Sequence, residues 1–190
     1  HVASEHPEKF ESLLQNVESS IRKIQKIITE LTDTRKVEYK YSAKEELLHF
    51  ANILEEVRLT IMDSMTSSGA VIKSELNVHD ITFSRRKLRS IIYNLASNAI
   101  KYKSPERKPE IFIKTEREKD FIIISVKDNG LGIEASKQDA IFSKYFRVEN
   151  KIEGSGIGLY LVKEIVNNLG GRIILESEPG KGSEFKVYFK

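Results

Sequence analysis

The sequence predicts an α+β fold, in which a mixed β-sheet carries helices on one face and a long helix precedes it. Apolar residues recur at helical spacing in several long stretches, which is typical of amphipathic helices. Short apolar runs bounded by glycine, proline or charged residues lie between those stretches, as expected for strands. After the first helix the order is helix, strand, helix, strand, strand, helix, strand, strand, which indicates the mixed sheet.

Composition narrows the class of protein. Of the 190 residues, 39% are hydrophobic and 31% are charged, which is typical of a globular protein. The net charge of +3 is small and does not favour a nucleic-acid or membrane surface. The absence of cysteine excludes disulfides and thiol chemistry. No signal peptide or membrane-spanning apolar run is visible, so we expect this portion to be cytoplasmic. Because the chain does not begin with Met, we expect it to be part of a longer protein, whose upstream segments would carry any membrane anchor.

The first predicted helix, Phe10 to Leu31, carries a heptad seam. A narrow, strict seam favours a dimerising helical bundle over the alternative, an ordinary helix lying on its own domain. The apolar period stops between Thr34 and Tyr41, so we expect residues 1–41 to form a partial dimerisation segment and residues 42–190 a second domain. The seam consists of Phe10, Leu14, Val17, Ile21, Ile24, Ile28 and Leu31.

The first half of the second domain predicts two helices separated by strands. Ala43 to Met65 has the broad apolar face of a helix, which the polar stretch after it ends. Ala70 to Val78 follows as a strand, and Ile81 to Phe83 as a short one. The next helix, Arg85 to Lys103, has Ser84 as its predicted N-cap.

The second half of that domain is richer in strands. Phe121 to Lys127 is apolar on both faces and therefore predicts a central strand. A strand beginning at Ile111 precedes it, and the charged stretch Glu116 to Asp120 predicts the turn between the two. The remaining predictions are a short helix over Lys137 to Phe146, a helix over Leu159 to Leu169 ended by Gly170 and Gly171, and strands over Arg172 to Ser177 and Ser183 to Phe189 joined by a turn at Pro179 to Gly182.

Polar residues interrupt the apolar pattern of the helix over Arg85 to Lys103. Asn94, Asn98 and Lys101 are spaced four and three residues apart, so they project from one face. Asparagine is a poor helix former, so the two asparagines must be present in this helix for a reason other than helix propensity. The residues alone leave two interpretations open. The amides either lie on a partly buried face with satisfied hydrogen bonds, or an amide oxygen coordinates Mg²⁺ while the lysine meets phosphate oxygens.

A hexapeptide at the end of the central strand, Asp128 to Ile133, reads DNGLGI. An aspartate at a strand end can accept a hydrogen bond from an exocyclic amine such as that of adenine. Its glycines, Gly130 and Gly132, would let the backbone approach a flat ligand. A structural Asp-Gly turn explains the same residues equally well.

A second glycine-rich stretch, Gly154 to Leu159, reads GSGIGL and leads directly into a predicted helix. Free backbone N–H groups and the helix N-terminus could together form a phosphate cradle. The alternative is an ordinary glycine turn, which is common before a helix, so the pattern alone is weak evidence. The pattern is neither a P-loop nor a dinucleotide fingerprint. The polar stretch Phe142 to Gly154 before it suits a mobile lid, from which Arg147 and Lys151 could reach phosphates; the alternative for both is a solvated loop charge.

With these stretches in order, the chain resembles the catalytic ATP-binding domain of sensor histidine kinases, in the Bergerat ATP-binding superfamily. NLASNAIKY resembles the N box, DNGLGI the first glycine box, FSKYF the phenylalanine box and GSGIGL the second glycine box, while EPGKGSEF resembles the closing turn and strand. The resemblance covers roughly Ala43 to Lys190. More weakly, the helix over Phe10 to Leu31 resembles the second helix of the family's dimerisation domain.

The resemblance implies a two-layer α/β sandwich that binds ATP and Mg²⁺. It implies that Asn98 is the metal ligand with Asn94 beside it, that Asp128 reads the adenine amine, and that Arg147 contacts the γ-phosphate. Asn98, Lys101 and Arg147 would be catalytic. The nucleotide-binding residues implied are Asn94, Asn98, Lys101, Tyr102, Asp128, Gly130, Gly132, Ile133, Phe146, Arg147, Gly154, Ser155, Gly156, Ile157, Gly158, Leu159 and Ser183.

The implied function is transfer of the ATP γ-phosphoryl group to a histidine, for relay to an aspartate of a response-regulator partner. The resemblance also implies a homodimer formed through the helix over Phe10 to Leu31. The family's phosphoacceptor lies in a motif like His-Glu-x-x-Thr-Pro, and His1, His6, His49 and His79 all lack that context. We therefore expect the acceptor to lie outside this chain, and the chain alone to bind ATP but to autophosphorylate poorly or not at all.

Three alternatives share part of this pattern. An ATP-hydrolysing switch like gyrase carries a glutamate base one helical turn before the metal-binding asparagine, where this chain has Asn94, which cannot take a proton. A serine kinase of the anti-sigma type lacks a preceding dimerisation helix. A non-catalytic dimerisation module would have a degenerate pocket, whereas every motif here is intact in type.

Overall fold

The structure is a computed structural model that describes Val17, residues 44–147 and residues 155–190. The chain divides into two units, His1–Lys44 and Glu45–Lys190. The predicted helix over 10–31 and the predicted boundary near residue 41 lie outside the described residues, so both stay predictions. In the described part of the chain, no helix is long and apolar enough to cross a membrane.

A mixed five-stranded sheet forms the centre of the second unit. Its strand order is β2-β4-β5-β7-β6, with β2 parallel to β4 and every other pair antiparallel. The strand predicted to be central, β5, is the middle strand. The bounds are β2 Val71–Leu76, β4 Glu110–Glu118, β5 Phe121–Asp128, β6 Arg172–Glu178 and β7 Gly182–Phe189.

The remaining elements are helices and a small second sheet. A two-stranded antiparallel sheet joins β1, Glu46–His49, to β3, Asp80–Phe83. The helices are α1 Phe50–Thr60, α2 Met62–Ser68, α3 Arg85–Lys101 and α4 Gly158–Asn167. The Ser84 hydroxyl accepts a hydrogen bond from the Lys87 backbone N–H, which confirms the predicted N-cap of α3.

The core lies between the helices and one face of the sheet. The apolar stripe of α3 includes Leu88, Ile91 and Leu95, which are almost fully buried. Each such side chain stabilises the fold by about 1.5–3 kcal/mol. The opposite sheet face carries cross-strand ion pairs, among them Lys73–Glu110 at 3.1 Å and Lys186–Glu176 at 2.6 Å. Helices therefore cover one face of a mixed sheet, and the predicted fold class is confirmed.

The prediction of a single helix over Ala43 to Met65 is wrong. Residues Glu46–His49 form β1, in which Leu48 lies opposite Ile81 of β3. Pairing with a strand more than thirty positions away overrides the local apolar pattern. His49 is therefore a strand residue rather than a helical one. Ile61 then separates α1 from α2, with φ of −104° and ψ of 11°.

Two smaller predictions also need correction. The short helix predicted over Lys137 to Phe146 is instead a pair of 3₁₀ turns, Ala135–Lys137 and Ala140–Phe142. A helix cannot continue to Phe146, because Ser143 is extended and Tyr145 has a φ of 67°. The turn predicted over Glu116 to Asp120 is shorter, since Glu118 pairs with Phe121 and leaves Lys119 and Asp120 in the loop.

Candidate functional site

A cavity of about 300 Å³ lies between α3, the loop after β5 and the start of α4. Most of the predicted site residues line it. From the prediction it contains Asn94, Asn98, Lys101, Tyr102, Asp128, Gly132, Ile133, Phe146, Arg147, Ser155, Gly156, Gly158, Leu159 and Ser183. Gly130 and Ile157 are not among the lining residues, while Gly154 and Lys151 lie outside the part of the chain that the structure describes.

The polar face of α3 forms one wall. The Asn94 amide nitrogen donates to the Ser90 backbone carbonyl at 2.7 Å, so its donor is satisfied inside the helix. The Asn94 side-chain oxygen is directed at Gly158, the first residue of α4. The hydrogen bond of the Asn94 nitrogen fits the interpretation of a satisfied amide, while its oxygen lies at the cavity wall and coordination of Mg²⁺ by this face stays a prediction.

Asp128 stands at the end of β5 and lines the same cavity. One carboxylate oxygen accepts hydrogen bonds from the backbone N–H groups of Gly130 at 2.7 Å and Ser183 at 3.3 Å. Burial raises the pKa of Asp128 above its ordinary value, and this effect exceeds the lowering by the two backbone N–H groups and by the positive charge of Arg107. A half-buried carboxylate held in this way is a hydrogen-bond acceptor of fixed orientation.

The glycines of the Asp128 to Ile133 loop are required by contacts within the protein. A Cβ added at Gly130 would stand 2.5 Å from the Tyr102 carbonyl oxygen. At Gly132, where φ is 70°, it would stand 2.0 Å from the carbonyl oxygen of Glu178. The interpretation that both glycines admit a ligand needs correction for Gly130, because that residue packs on the end of α3 and is not a lining residue.

The described part of the second glycine-rich stretch, residues 155–158, contacts the FSKYF segment and leads into α4. The Tyr145 backbone N–H donates to the Gly156 carbonyl at 3.0 Å. Gly156 has a φ of 69°, and a Cβ there would stand 2.7 Å from the Tyr145 carbonyl carbon. Ile157, the N-cap of α4, provides no side-chain hydrogen bond to the helix. The first N–H groups of α4 therefore have no side-chain cap, an arrangement that favours an anion.

Comparison with known proteins agrees with this geometry. A family model described as histidine kinase-, DNA gyrase B-, and HSP90-like ATPase matches residues 83–190. The chain belongs to this family. The matched segment runs from β3 to the end of the chain and includes every lining residue of the cavity. It is an ATP-binding domain of the kind found in histidine kinases, which confirms the resemblance inferred from the motifs.

Curated relatives of this ATPase domain are sensor histidine kinases. The circadian input-output histidine kinase CikA of Synechococcus elongatus is 39% identical over 107 residues, 54% of this chain and 14% of that protein. The alginate biosynthesis sensor protein KinB of Pseudomonas aeruginosa is 40% identical over 101 residues, 53% of this chain and 17% of that protein. The sensor protein kinase WalK of Staphylococcus saprophyticus is 31% identical over 160 residues, 75% of this chain and 26% of that protein. The chain thus spans about a quarter or less of the length of these relatives.

Solved structures show the same fold. The Acinetobacter baumannii histidine kinase AdeS matches with a TM-score of 0.70 at 24% identity, over 95% of this chain and 83% of that chain. The catalytic domain of the histidine kinase ThkA matches with a TM-score of 0.67 at 21% identity, over 77% of this chain and 95% of that chain. The α+β architecture of this ATPase domain is therefore shared with histidine kinase catalytic domains.

Sequence reasoning missed several residues of the site. Ser97 lies three residues after Asn94 and four before Lys101, so helical spacing could have identified it. The others are aromatic or apolar residues, whose pattern signals only burial in a core. The missed lining residues are Tyr93, Ser97, Ala99, Leu131, Ile141 and Phe185.

Ser177 of β6 is a further missed residue, located behind the lining. Its hydroxyl oxygen accepts from the Ile133 backbone N–H at 2.8 Å, lies 2.9 Å from the Ser183 hydroxyl oxygen and is 3.0 Å from the Gly182 carbonyl oxygen. The Gln138 amide donates to the carbonyls of Ile133 and Ser177, both at 3.0 Å. This network holds the loop after β5 onto β6 and β7, and no local sequence pattern indicates it.

Proposed function

We propose that the chain binds ATP with Mg²⁺ in this cavity and catalyses transfer of the γ-phosphoryl group to a histidine side chain. One observation carries the proposal: the Asp128 carboxylate and the start of α4 line the same cavity. A carboxylate acceptor suits an amine-bearing base, and a helix N-terminus suits a phosphate. The ATPase family to which the chain belongs supports the same ligand.

At the base end, Asp128 accepts the hydrogen bond of the adenine amine. Gly132, Ile133 and Ser183 lie around it in the cavity wall. The ring of Tyr102 lies along the nucleotide in this proposal. Selectivity for adenine follows because a base with a carbonyl in place of the amine would set an acceptor against a carboxylate.

At the phosphate end, cations and N–H groups meet the triphosphate. Lys101 and Arg147 line the cavity together with Gly156 and Gly158. Arg147 contacts the γ-phosphate in this proposal, and Lys101 meets phosphate oxygens. These charges neutralise the triphosphate and orient it for in-line displacement, which is most of what a protein contributes to phosphoryl transfer.

The Mg²⁺ would be held by the Asn98 amide oxygen with Asn94 beside it. The described residues contain no group of three or more His, Cys, Asp or Glu side chains that could hold a metal. This fits Mg²⁺ arriving with ATP, because that ion keeps several waters and takes phosphate oxygens as ligands. When bound, the ion neutralises charge on the phosphate oxygens.

Asn94 favours transfer over hydrolysis. Its side chain is an amide, whose nitrogen donates to the Ser90 carbonyl, so it cannot remove a proton from water.

In the proposed reaction an imidazole nitrogen forms a bond to the γ-phosphorus, the bond from that phosphorus to the β-phosphate oxygen breaks, and ADP leaves. The imidazole proton passes to a base outside this chain. The phosphoryl group then moves to an aspartate of a response regulator.

We place the phosphoacceptor outside this chain. Of the histidines that the structure describes, His49 pairs with Asp80 at the surface and His79 is exposed; neither lines the cavity. We also propose that the full protein forms a homodimer through the predicted helix over 10–31. The portion described here works in the cytoplasm, where a response regulator would meet it.

Calorimetric titration with a non-hydrolysable ATP analogue tests the binding step. The parent chain is expected to bind in the micromolar range with Mg²⁺ and more weakly without it, while Asp128→Asn abolishes binding. Lys103→Met, an exposed lysine change between α3 and β4, serves as the control and should bind like the parent. Absence of binding by the folded parent would overturn the proposal.

Labelled ATP tests the transfer step. Incubation of the chain with ATP carrying a labelled γ-phosphate should give almost no acid-labile label and no phosphate release above the buffer rate. Robust acid-labile label on this chain would place an acceptor within it. Steady phosphate release that Asn94→Ala abolishes would instead support the alternative, an ATP-hydrolysing switch.

A further inference from the structure

Arg107 joins loops that are distant in sequence. It lies in the exposed loop between α3 and β4, and its Nε donates to the Asn129 carbonyl at 2.6 Å. One terminal nitrogen donates to the carbonyls of Gly130 at 2.9 Å and Gly180 at 2.6 Å. One guanidinium therefore holds both the loop after β5 and the turn between β6 and β7.

Asn129 strengthens the same junction from the other side. Its amide nitrogen donates to the Lys108 carbonyl at 2.9 Å, and its amide oxygen accepts from the Glu110 backbone N–H at 2.9 Å. Its own backbone N–H donates to the Glu110 carbonyl at 3.3 Å. The loop that follows Asp128 is thus fixed to the start of β4 by backbone and side-chain bonds.

These contacts lie directly behind the base end of the cavity. Gly130 and Leu131 follow Asp128, and the Leu131 carbonyl accepts from the Gly180 N–H at 2.7 Å. Moving the β6–β7 turn or the loop after β5 would therefore move Asp128, Leu131 and Gly132 relative to one another. The hydrogen bonds of Arg107 tie these two segments together and so oppose that movement.

We propose that Arg107 is a positioning residue for base recognition, which fixes the Asp128 carboxylate at the geometry needed to select an amine-bearing base. The inference rests on the proposed nucleotide-binding function and deepens it. An exposed arginine that only paired with a carboxylate would need no role beyond stabilising the surface. Arg107 instead bonds main-chain carbonyls of two segments that meet at Asp128, which gives it control over the position of this site.

The chemistry favours arginine over any other cation here. A guanidinium is planar, and its donors diverge at fixed angles, so one side chain can bind several carbonyls at once. Lysine would supply the same charge from a single rotating nitrogen. The positive charge of Arg107 also lowers the pKa of Asp128, against the larger raising effect of burial. It thereby favours the ionised carboxylate, which accepts the hydrogen bond of the amine.

The test compares ATP with inosine triphosphate, which carries a carbonyl where adenine carries its amine. Affinities of both are measured by calorimetry for the parent chain, Arg107→Met, Arg107→Lys and the control Lys103→Met, and thermal unfolding is recorded for each. We expect Arg107→Met to weaken the affinity for ATP about ten-fold and to leave the affinity for inosine triphosphate unchanged, so that the selectivity for ATP falls about ten-fold. Arg107→Lys should restore little of it, and Lys103→Met should match the parent.

The outcomes separate this inference from the function on which it rests. A parent chain that prefers ATP, with Arg107→Met and Arg107→Lys retaining the same selectivity, would overturn the role of Arg107 while leaving the nucleotide site intact. Equal weakening of both nucleotides would show that Arg107 supports the pocket as a whole rather than base recognition, and would overturn it as well. If Arg107→Met unfolds, the selectivity of Arg107→Lys decides whether Arg107 has this role, because lysine keeps the positive charge and lacks the diverging donors of the guanidinium. No binding by the parent would overturn the proposed function itself.

Discussion

The Asn94 side-chain oxygen lies so close to Gly158 that a Cβ added at residue 158 would stand 2.7 Å from it. Asn94 belongs to α3 and Gly158 begins α4, so this contact is where the two helices meet at the cavity. The Asn94 amide cannot easily rotate away, because its nitrogen donates to the Ser90 carbonyl at 2.7 Å. The absence of a side chain at residue 158 therefore determines where the Asn94 oxygen sits.

Gly158→Ala is expected to weaken nucleotide binding while leaving the fold stable. The new methyl group displaces the Asn94 oxygen, and we expect about a ten-fold loss of affinity for an ATP analogue with Mg²⁺. Alanine forms helices better than glycine by up to about 1 kcal/mol, which offsets the cost of the displacement in the free protein. Calorimetric affinity and urea-induced unfolding measure the two effects.

Gly170→Ala, just after α4, is the matched control. A Cβ there meets nothing within 4 Å, but the residue has a φ of 69°, which disfavours any side chain. The variant should lose about 1 kcal/mol of stability and keep its affinity. If Gly158→Ala binds like the parent, the Asn94–Gly158 contact has no role in the phosphate site.

The stability of the parent relative to Asp128→Asn should fall as the pH rises toward neutral. Burial raises the pKa of Asp128 above 3.8, so the folded state holds this proton more tightly than the unfolded chain does. Ionisation therefore costs stability: relative to Asp128→Asn, the parent loses free energy of unfolding as the pH rises from 3.8 through the raised pKa, and no more above it. Below pH 3.8 the difference should stop changing, because the carboxyl is then mostly protonated in both states.

Urea unfolding of both proteins between pH 4 and about pH 8 measures this difference, because contributions of other groups cancel. The opposite sign would appear if Asp128→Asn were less stable than the parent at neutral pH and the difference in free energy of unfolding grew as the pH rises. It would mean that the Gly130 and Ser183 N–H groups outweigh burial.

Ser177→Ala should destabilise the fold by about 1–3 kcal/mol. The change removes the acceptor of the Ile133 N–H and breaks the contact with the Ser183 hydroxyl. Ser67→Ala provides the comparison, since the Ser67 hydroxyl makes only an exposed hydrogen bond of 3.3 Å to the Ser64 carbonyl. This change should alter the free energy of unfolding by less than about 0.5 kcal/mol. Equal midpoints of thermal unfolding for the two variants would contradict the role given to Ser177.

Asn98→Ala should remove the dependence of nucleotide affinity on Mg²⁺. If the Asn98 amide oxygen holds the ion, the variant binds ATP with Mg²⁺ as weakly as the parent binds it without Mg²⁺, while the affinities measured in EDTA stay equal. Titrations with and without Mg²⁺ give both numbers. A loss of equal size under both conditions would assign Asn98 to the nucleotide rather than to the metal.

The sequence predicted the elements whose pattern is local. Helix α3 and strand β5 were located by their apolar periods, and Ser84 by its place before the first turn. The strand β1 was missed, because its identity depends on pairing with β3 rather than on its own pattern. The sequence predicts a helix where the structure has 3₁₀ turns, because the positive φ of Tyr145 leaves no signal in residue type.

The same distinction applies to the site. Asn94, Asp128 and Gly158 belong to short motifs whose residue types indicate their chemistry, and the structure places all three around one cavity. Arg107 and Ser177 act through carbonyls and N–H groups of residues up to 73 positions away. Those contacts exist only once the strands are in register, so no reading of a single stretch could identify them.

A crystal structure of the chain with Mg²⁺ and a non-hydrolysable ATP analogue would show directly how a nucleotide lies in the cavity. We expect the adenine amine to lie within hydrogen-bond distance of the Asp128 carboxylate, the triphosphate to reach the start of α4 at Gly158, and Mg²⁺ to contact the Asn98 side-chain oxygen. A nucleotide bound outside this cavity, or one bound with its triphosphate beside Asp128, would contradict this expectation.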